Sequence, residues 1–109
     1  MTVVTVKNIF SDLPETFDPE QFQTLFQNAA VRIERIVSHS HHTPEEFWYD
    51  ANEEEWVIVL RGTATLEFAD GALVEMGAGD YLAIAPHVRH RVARTGVETI
   101  WLAVHVKSR

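Results

Sequence analysis

Two carboxylates and a histidine in this chain are spaced so that they could bind a cation. Asp50 and Glu55 are separated by residues 51–54. If that segment reverses the chain, the two carboxylates face each other across neighbouring strands and are close enough to share one ion. His90 follows eleven positions after Gly79, and the sequence by itself does not place it relative to the carboxylates.

A second histidine-rich stretch offers other ligands. His39-Ser-His41 and His42 precede two carboxylates, Glu45 and Glu46. The serine, threonine and proline around these histidines favour a solvated loop over a strand. We keep the alternative in which this loop folds back and lends His41 or His42 to the ion.

The composition favours one small soluble domain and argues against several classes of function. The chain has 109 residues, 46% of them hydrophobic, which is enough for one domain with a buried core. The formal charge of −7 argues against binding to nucleic acid or to anionic membranes, since both need clustered lysine and arginine. Without cysteine, the chain forms neither disulfides nor thiolate metal sites. Because it has no long apolar run and no signal-like N-terminus, we expect a cytoplasmic protein.

The N-terminal part, residues 1–30, is predicted to contain one strand and one short helix that pack on the main body. Threonine and valine are frequent in residues 3–10, which favours a strand. Asp18-Pro19 has the features of a helix start, with a capping side chain and a proline in the first turn. The apolar residues that would pack this helix follow at helical spacing: Phe22, Leu25 and Phe26.

The remaining residues, 31–109, are predicted to form a barrel, because the hydrophobic pattern there changes to a period of two. The predicted strands are residues 31–37, 47–49, 56–60, 63–68, 72–76, 81–85, 90–93 and 99–106. Asp70-Gly71 is well suited to a tight hairpin turn. Short strands with frequent turns indicate an all-β sandwich or barrel, and we expect one structural domain overall.

The spacing of these elements resembles the two sequence motifs of the cupin superfamily. In the first motif a glutamate and a glycine enclose six residues, as Glu55 and Gly62 do. In the second, a histidine follows a glycine at the separation found between Gly79 and His90. The resemblance extends over residues 45–106. It implies a single jelly-roll-type barrel, as in small bacterial cupins, which often holds a metal ion and a small molecule.

The first motif usually supplies two histidines to the metal, and both are replaced here. Counting back from Glu55 puts Asp50 in the place of the second histidine. Trp48, which cannot coordinate a metal, takes the place of the first. The resemblance also places His90 beside Glu55. It therefore implies Asp50, Glu55 and His90 as ligands of a divalent metal ion, and this donor set favours Mn²⁺ or Fe²⁺.

The second motif also departs from the usual pattern. His87 stands where a glycine is usual and Arg94 where an asparagine is usual. The alternative to a metal site is that Glu55 pairs with Arg91 or Arg94, while Asp50 only ends a strand.

Four residues are predicted to line a ligand pocket inside the barrel: Trp48, Tyr81, Arg94 and His105. Three functions are consistent with this sequence. The first is binding of a divalent metal and a small organic ligand. The second is a metal-dependent dioxygenase, isomerase or decarboxylase. The third is a metal-free sensing or structural barrel in which Arg94 anchors an anionic ligand. Since exposed sheet edges gain from pairing, we also expect a homodimer.

Overall fold

The computed structural model describes residues 2–14 and 20–107, and its regular elements are all strands. They are β1 (Gln21–Gln27), β2 (Val31–Ser38), β3 (Glu54–Arg61), β4 (Thr63–Phe68), β5 (Leu73–Gly77), β6 (Tyr81–Ile84), β7 (His90–Thr95) and β8 (Thr99–Val106). The strands predicted after residue 31 are present near their predicted bounds, except for residues 47–49, where Tyr49 makes an isolated bridge to His90. The described residues include no helix with the length and hydropathy needed to cross a bilayer.

The strands form two antiparallel sheets around a shared core. The larger sheet has the order β1-β2-β8-β3-β6, and the smaller has the order β5-β4-β7. Both sheets contribute to one cluster of buried apolar side chains: Val57, Val59, Ala64, Leu66, Met76, Ile84, Trp101 and Ala103. The prediction of an all-β, jelly-roll-type barrel is confirmed.

Two glycines lie where the chain passes from one strand to the next: Gly62 leads from the larger sheet into the smaller one, and Gly71 lies in the turn between two paired strands. Gly62, between β3 and β4, has a φ of +87°, and a Cβ there would lie 2.2 Å from the carbonyl oxygen of Glu98. Gly71 has a φ of +96° in the predicted Asp70-Gly71 turn, which joins β4 to β5. L-residues with side chains rarely adopt such φ values. The glycines that suggested turns in the sequence are therefore required by the backbone.

The predicted N-terminal helix is wrong where the structure describes it. Its start at Asp18-Pro19 lies outside the described residues, but the residues that would continue it form β1. β1 pairs antiparallel with β2, and the register shifts between Thr24 and Phe26, which makes Leu25 an extra, bulged residue. The bulge interrupts the strand period of two, so the apolar residues acquire a spacing that resembles a helix.

The predicted strand at residues 3–10 is also wrong, because the structure has no strand there. The end of this segment is held against β2 by Arg35. Its buried guanidinium donates to the carbonyl oxygens of Ile9 (3.1 Å), Ser11 (2.7 Å) and Asp12 (3.2 Å). Since these carbonyls accept from a side chain instead of a neighbouring strand, the segment follows the sheet without joining it.

Candidate functional site

Strand register places a row of three polar residues across the larger sheet. His105 on β8 pairs with Arg32 on β2 and with Glu55 on β3. Because side chains alternate along a strand, Glu55 lies on the same face as the buried Val57. Val57 in turn pairs with the buried Ala103. The polar row therefore borders an apolar interior.

A cavity of about 300 Å³ lies beside this row, and both sheets contribute to its walls. Its polar wall consists of Glu20, Arg32, Glu34, Glu53, Glu55, His90 and His105. Its apolar floor includes Val57, Leu66, Ile84, Val92 and Trp101. Small-molecule sites in proteins have volumes of about 300–1,000 Å³ and this mixture of a few polar groups with apolar walls. The barrel therefore has room for a small ligand.

His90 lies beside Glu55 on this wall, with its Nε2 3.5 Å from Oε1 of the carboxylate. Its Nδ1 donates to the carbonyl oxygen of Val88 at 2.9 Å, so Nε2 is the nitrogen that faces Glu55. The two side chains are 11% and 21% exposed. Burial disfavours the charged imidazole, but the contact with Glu55, the hydrogen bond to Val88 and the charge of Glu55 outweigh it. The pKa of His90 is therefore raised above its ordinary value.

His105 faces three carboxylates. Its Nε2 lies 2.9 Å from Oε1 of Glu34 and 3.6 Å from Oε2 of Glu55, and its Nδ1 lies 3.9 Å from Oε1 of Glu53. Nε2 is nevertheless buried without a well-aligned hydrogen-bond partner, since the short distance to Glu34 is not matched by a suitable angle. Arg32 completes the group, 3.2 Å from Glu53 and 3.8 Å from Glu34.

Tyr49 fixes the position of the His90 ring. The two rings stack with centroids 5.6 Å apart, and the two backbones exchange hydrogen bonds of 2.7 and 3.2 Å. Burial and the negative charges of Glu20 and Glu55 raise the pKa of the Tyr49 phenol, against a hydrogen bond with Thr43 that lowers it. Tyr49 therefore packs as a neutral phenol against the imidazole.

Asp50 lies away from this wall. Its Oδ1 is 2.8 Å from Nδ1 of His87, and the two side chains are 47% and 68% exposed. Within residues 2–14 and 20–107, no group of three or more histidine, cysteine, aspartate or glutamate side chains is arranged to hold a metal ion. The structure brings Glu55 and His90 together and leaves Asp50 paired with His87, so the three-ligand site stays a prediction.

The other predicted pocket residues occupy different surroundings. His105 lines the cavity, whereas Trp48, Tyr81 and Arg94 are not among the described lining residues. Tyr81 is 65% exposed, and the Arg94 side chain is 72% exposed. The guanidinium carbon of Arg89 lies over the Trp48 ring, 5.7 Å from the centroid of that ring.

The alternative pairing of Glu55 with an arginine is not found among the described residues. Arg91 pairs with Glu67 at 2.7 Å, and Arg94 pairs with Glu75 at 3.2 Å. The partners that approach the Glu55 carboxylate are the two imidazoles.

The histidine-rich loop runs beside β7. Thr43 donates its backbone N–H to the carbonyl of Val92 at 2.8 Å, and the carbonyl of His41 accepts from the hydroxyl of Thr95 at 2.6 Å. The described cavity lining includes none of the loop histidines, His39, His41 and His42.

Sequence reasoning missed Glu20, Arg32, Glu34 and Glu53 as wall residues. For two of them a signal exists, because Arg32, Glu34 and Ile36 alternate along β2 and so share one face. Charged residues that share one face of a strand with an apolar residue are typical of the polar lining of a cavity. Glu53 gave no such signal, since it stands in a run of three glutamates that resembles a solvated turn.

An antiparallel barrel with imidazoles and carboxylates along an inner cavity defines a class of small β-barrel binding proteins and enzymes. Within that class, the sequence profile of the cupin domain matches residues 32–105. The chain therefore belongs to the cupin domain family. No curated protein matches it.

Solved structures agree with this assignment. The structure of a putative mannose-6-phosphate isomerase from Ralstonia eutropha JMP134 is similar over 96% of this chain and 100% of its own, with 41% identity and a TM-score of 0.89. An RmlC-like cupin family protein from Methanocaldococcus jannaschii covers 97% of this chain and 93% of its own, with 16% identity and a TM-score of 0.73. A conserved protein of unknown function from Streptococcus pyogenes covers 100% and 92%, with 15% identity and a TM-score of 0.79. The last two support the fold alone.

Proposed function

We propose that this cupin binds a small organic molecule in its cavity, against the wall that contains Glu55, His90 and His105. The observation that carries this proposal is a cavity of about 300 Å³ with polar groups on one side and apolar side chains on the other. Such a cavity can bury an apolar body while a few polar groups orient it.

The state of the polar wall supports the proposal. The contacts of the Glu55 carboxylate with Nε2 of His90 and of His105 measure 3.5 and 3.6 Å. Both exceed the usual range of about 2.7–3.2 Å for hydrogen bonds from nitrogen to oxygen. Buried polar groups are normally hydrogen-bonded, so loosely paired ones facing a cavity favour a ligand that completes their bonds.

Substitution at the cavity lining tests the proposal. Ala83 and Ala85 are both exposed to solvent, but Ala85 lines the cavity, whereas Ala83 on β6 is outside the described lining. We expect small organic compounds that bind the native protein in ligand-observed NMR to bind Ala83→Leu equally and Ala85→Leu weakly, because the larger side chain occupies cavity space. Binding that is the same in both variants would place the ligand elsewhere and contradict the proposal.

A divalent metal at the same wall is a second candidate. Nδ1 of His90 is bound to the Val88 carbonyl, and metal-binding histidines commonly hold their second nitrogen in this way. Glu55 and His90 would hold the ion, which would supply a Lewis acid to a bound substrate. These two adjacent donors are fewer than the three protein ligands of most catalytic zinc sites, and for this reason we rank the metal second.

Metal binding is tested by titrating the untagged protein with MnCl₂ or an Fe²⁺ salt in a calorimeter. We expect His90→Ala to lose binding and His87→Ala to keep it if the ion binds at Glu55 and His90. Asp50→Ala then decides whether the predicted third ligand takes part. Equal affinity in the native protein and in His90→Ala would refute the assignment.

An isomerase is the enzymatic form of this second candidate. It is suggested by the name of the Ralstonia eutropha protein, which is 41% identical to this chain. The direct test is conversion of mannose 6-phosphate by the metal-loaded protein. Turnover that is lost in His90→Ala and retained in His87→Ala would support it, and the absence of turnover would count against this substrate.

We also propose a homodimer formed through β1. This strand lies at the edge of the larger sheet, and its apolar side chains are exposed: Phe22 (54%), Leu25 (43%) and Phe26 (54%). A second copy would cover both the apolar side chains and the unpaired strand edge. Sedimentation should show a dimer that Leu25→Asp dissociates, and a native monomer at high concentration would contradict the proposal.

A further inference from the structure

We infer that the ligand of this cavity carries a positively charged group such as an amine, and not a phosphate. The inference rests on the proposed ligand-binding function and adds the charge class of the ligand. Its basis is the number of carboxylates on the cavity wall, which are Glu20, Glu34, Glu53 and Glu55. Within the described lining, Arg32 is the one arginine or lysine.

Arg32 is already committed to neighbouring carboxylates. Its guanidinium lies 3.2 Å from Glu53 and 3.8 Å from Glu34. An arginine held between two carboxylates has little charge left to offer a phosphate, which arginine otherwise binds well. Among the charged groups of the described residues, only the imidazoles of His90 and His105 approach the Glu55 carboxylate.

The other described arginines that make ion pairs do so away from the cavity. Arg61 pairs with Glu98, Arg91 with Glu67 and Arg94 with Glu75. Arg35 is used by backbone carbonyls near the N-terminus. Neither these arginines nor a lysine belongs to the described cavity lining, so the wall has no second permanent cation.

The wall stays acidic whatever the charge of its imidazoles. With both His90 and His105 protonated, the four carboxylates still outnumber the cations. The side chains of Glu34, Glu53 and Glu55 are only 17–21% exposed, so water screens their charges weakly. A phosphate would be repelled there and would lose its own hydration, whereas an ammonium group would gain charge-assisted hydrogen bonds.

The floor indicates what the charged group is attached to. Val57, Leu66 and Trp101 are 4%, 3% and 4% exposed, and all three line the cavity. Trp101 already donates its indole N–H to the Ser38 hydroxyl at 3.2 Å, so it offers the ligand an apolar ring surface. An apolar body on this floor would direct an amine towards Glu55 and Glu34.

Three probes that differ only in the head group test the inference: benzylamine, benzyl alcohol and benzyl phosphate. We would titrate each into the full-length protein and follow the amide NMR signals of the cavity residues. We expect benzylamine to bind about tenfold tighter than benzyl alcohol, with benzyl phosphate the weakest, because a buried carboxylate strengthens hydrogen bonds from a cation.

Neighbouring glutamates provide matched variants. Glu55 faces the cavity, whereas Glu54 is exposed and outside the described lining. Glu55→Gln should remove most of the preference for benzylamine over benzyl alcohol, and Glu54→Gln should leave it unchanged. If Glu55→Gln fails to fold, Glu34→Gln provides the same comparison, since this side chain also lines the cavity.

The outcomes separate this inference from the proposed function. Cavity signals that shift equally with all three probes, or most with benzyl phosphate, would overturn the charge assignment and leave the cavity as a ligand site. No cavity response to any probe would count against both. A second titration, followed by calorimetry in the presence of MnCl₂ because paramagnetic Mn²⁺ broadens nearby NMR signals, addresses the metal. If Mn²⁺ makes benzyl phosphate the tightest probe, the carboxylates serve an ion and the inference is wrong.

Discussion

Two histidine–carboxylate pairs lie close together in the sequence and differ in almost every physical respect. His87 and Asp50 are 2.8 Å apart, with side chains 68% and 47% exposed. His90 and Glu55 are 3.5 Å apart, with side chains 11% and 21% exposed. The shorter contact belongs to the exposed pair. Distance alone therefore does not identify the pair that matters; burial and further neighbours do.

The difference follows from solvent. The outer pair is His87 with Asp50, and the inner pair is His90 with Glu55. Water and salt screen the outer pair, and exposed ion pairs contribute about 0–1 kcal/mol to stability. The inner pair is poorly screened, and its carboxylate also meets His105. Burial opposes the charged His90 ring, but Glu55 and the Val88 carbonyl raise its pKa. An environment that perturbs a group in a cavity in this way is typical of functional sites.

Removing each histidine should produce the largest contrast. We expect His90→Ala to lower the free energy of unfolding by about 2 kcal/mol, because a partly buried carboxylate loses a partner and Tyr49 loses the ring it stacks on. His87→Ala should cost less than about 0.5 kcal/mol, as is usual at exposed positions. Urea denaturation measures both values. Equal costs would show that the inner pair is no better supported than the outer one.

Removing the inner carboxylate should change the titration of His90. In Glu55→Gln the burial that disfavours the charged ring remains, while the charge that favours it is lost, so the pKa of His90 should fall. Histidine NMR titration of metal-free protein measures this change, and Asp50→Asn is the control that should leave the pKa of His90 in place. A pKa that stays the same in Glu55→Gln would contradict the pairing.

The same titration predicts how stability depends on pH. Because the folded-state pKa of His90 is raised above 6.5, its pairing stabilises the native protein fully below that pH. The contribution is lost as the pH rises through the raised folded-state pKa. In Glu55→Gln this loss of stability with rising pH should diminish, and Asp50→Asn should retain it. A native protein whose stability rises across this window would contradict the assignment.

The sequence predicted the barrel well because its signals there are local. These signals are the period of two, Gly62 and the Asp70-Gly71 turn, and each acts within a few residues. β3, β4 and β5 accordingly form close to the positions that the signals predict. The prediction for the N-terminal part was wrong because its structure depends on residues that are distant in the sequence. Pairing with β2 imposes a bulge at Leu25, and Arg35 holds the preceding segment by its carbonyls.

The site was partly predictable for the same reason. Glu55 was predicted from its spacing to Gly62, which resembles the first cupin motif, but the placement of His105 between Arg32 and Glu55 depends on the register of β8 with β2 and β3. No spacing in the sequence reports that register. The partner of Asp50 was missed, although His87 stands where a glycine is usual and takes a φ of 63°, a left-handed conformation that glycine adopts readily.

The smallest expected effect is that of Asp50→Asn on stability. Asparagine can still hydrogen-bond Nδ1 of His87, and the lost charge was exposed, so the change should be within about 0.5 kcal/mol. What remains of it should disappear in urea denaturation at high salt, because exposed charges are screened there. A larger cost that persists in salt would mean that Asp50 holds the unusual backbone of His87 in place. The outer pair would then stabilise the local backbone, whereas the inner pair contributes to the cavity wall, so the two pairs would differ in role as well as in their contribution to stability.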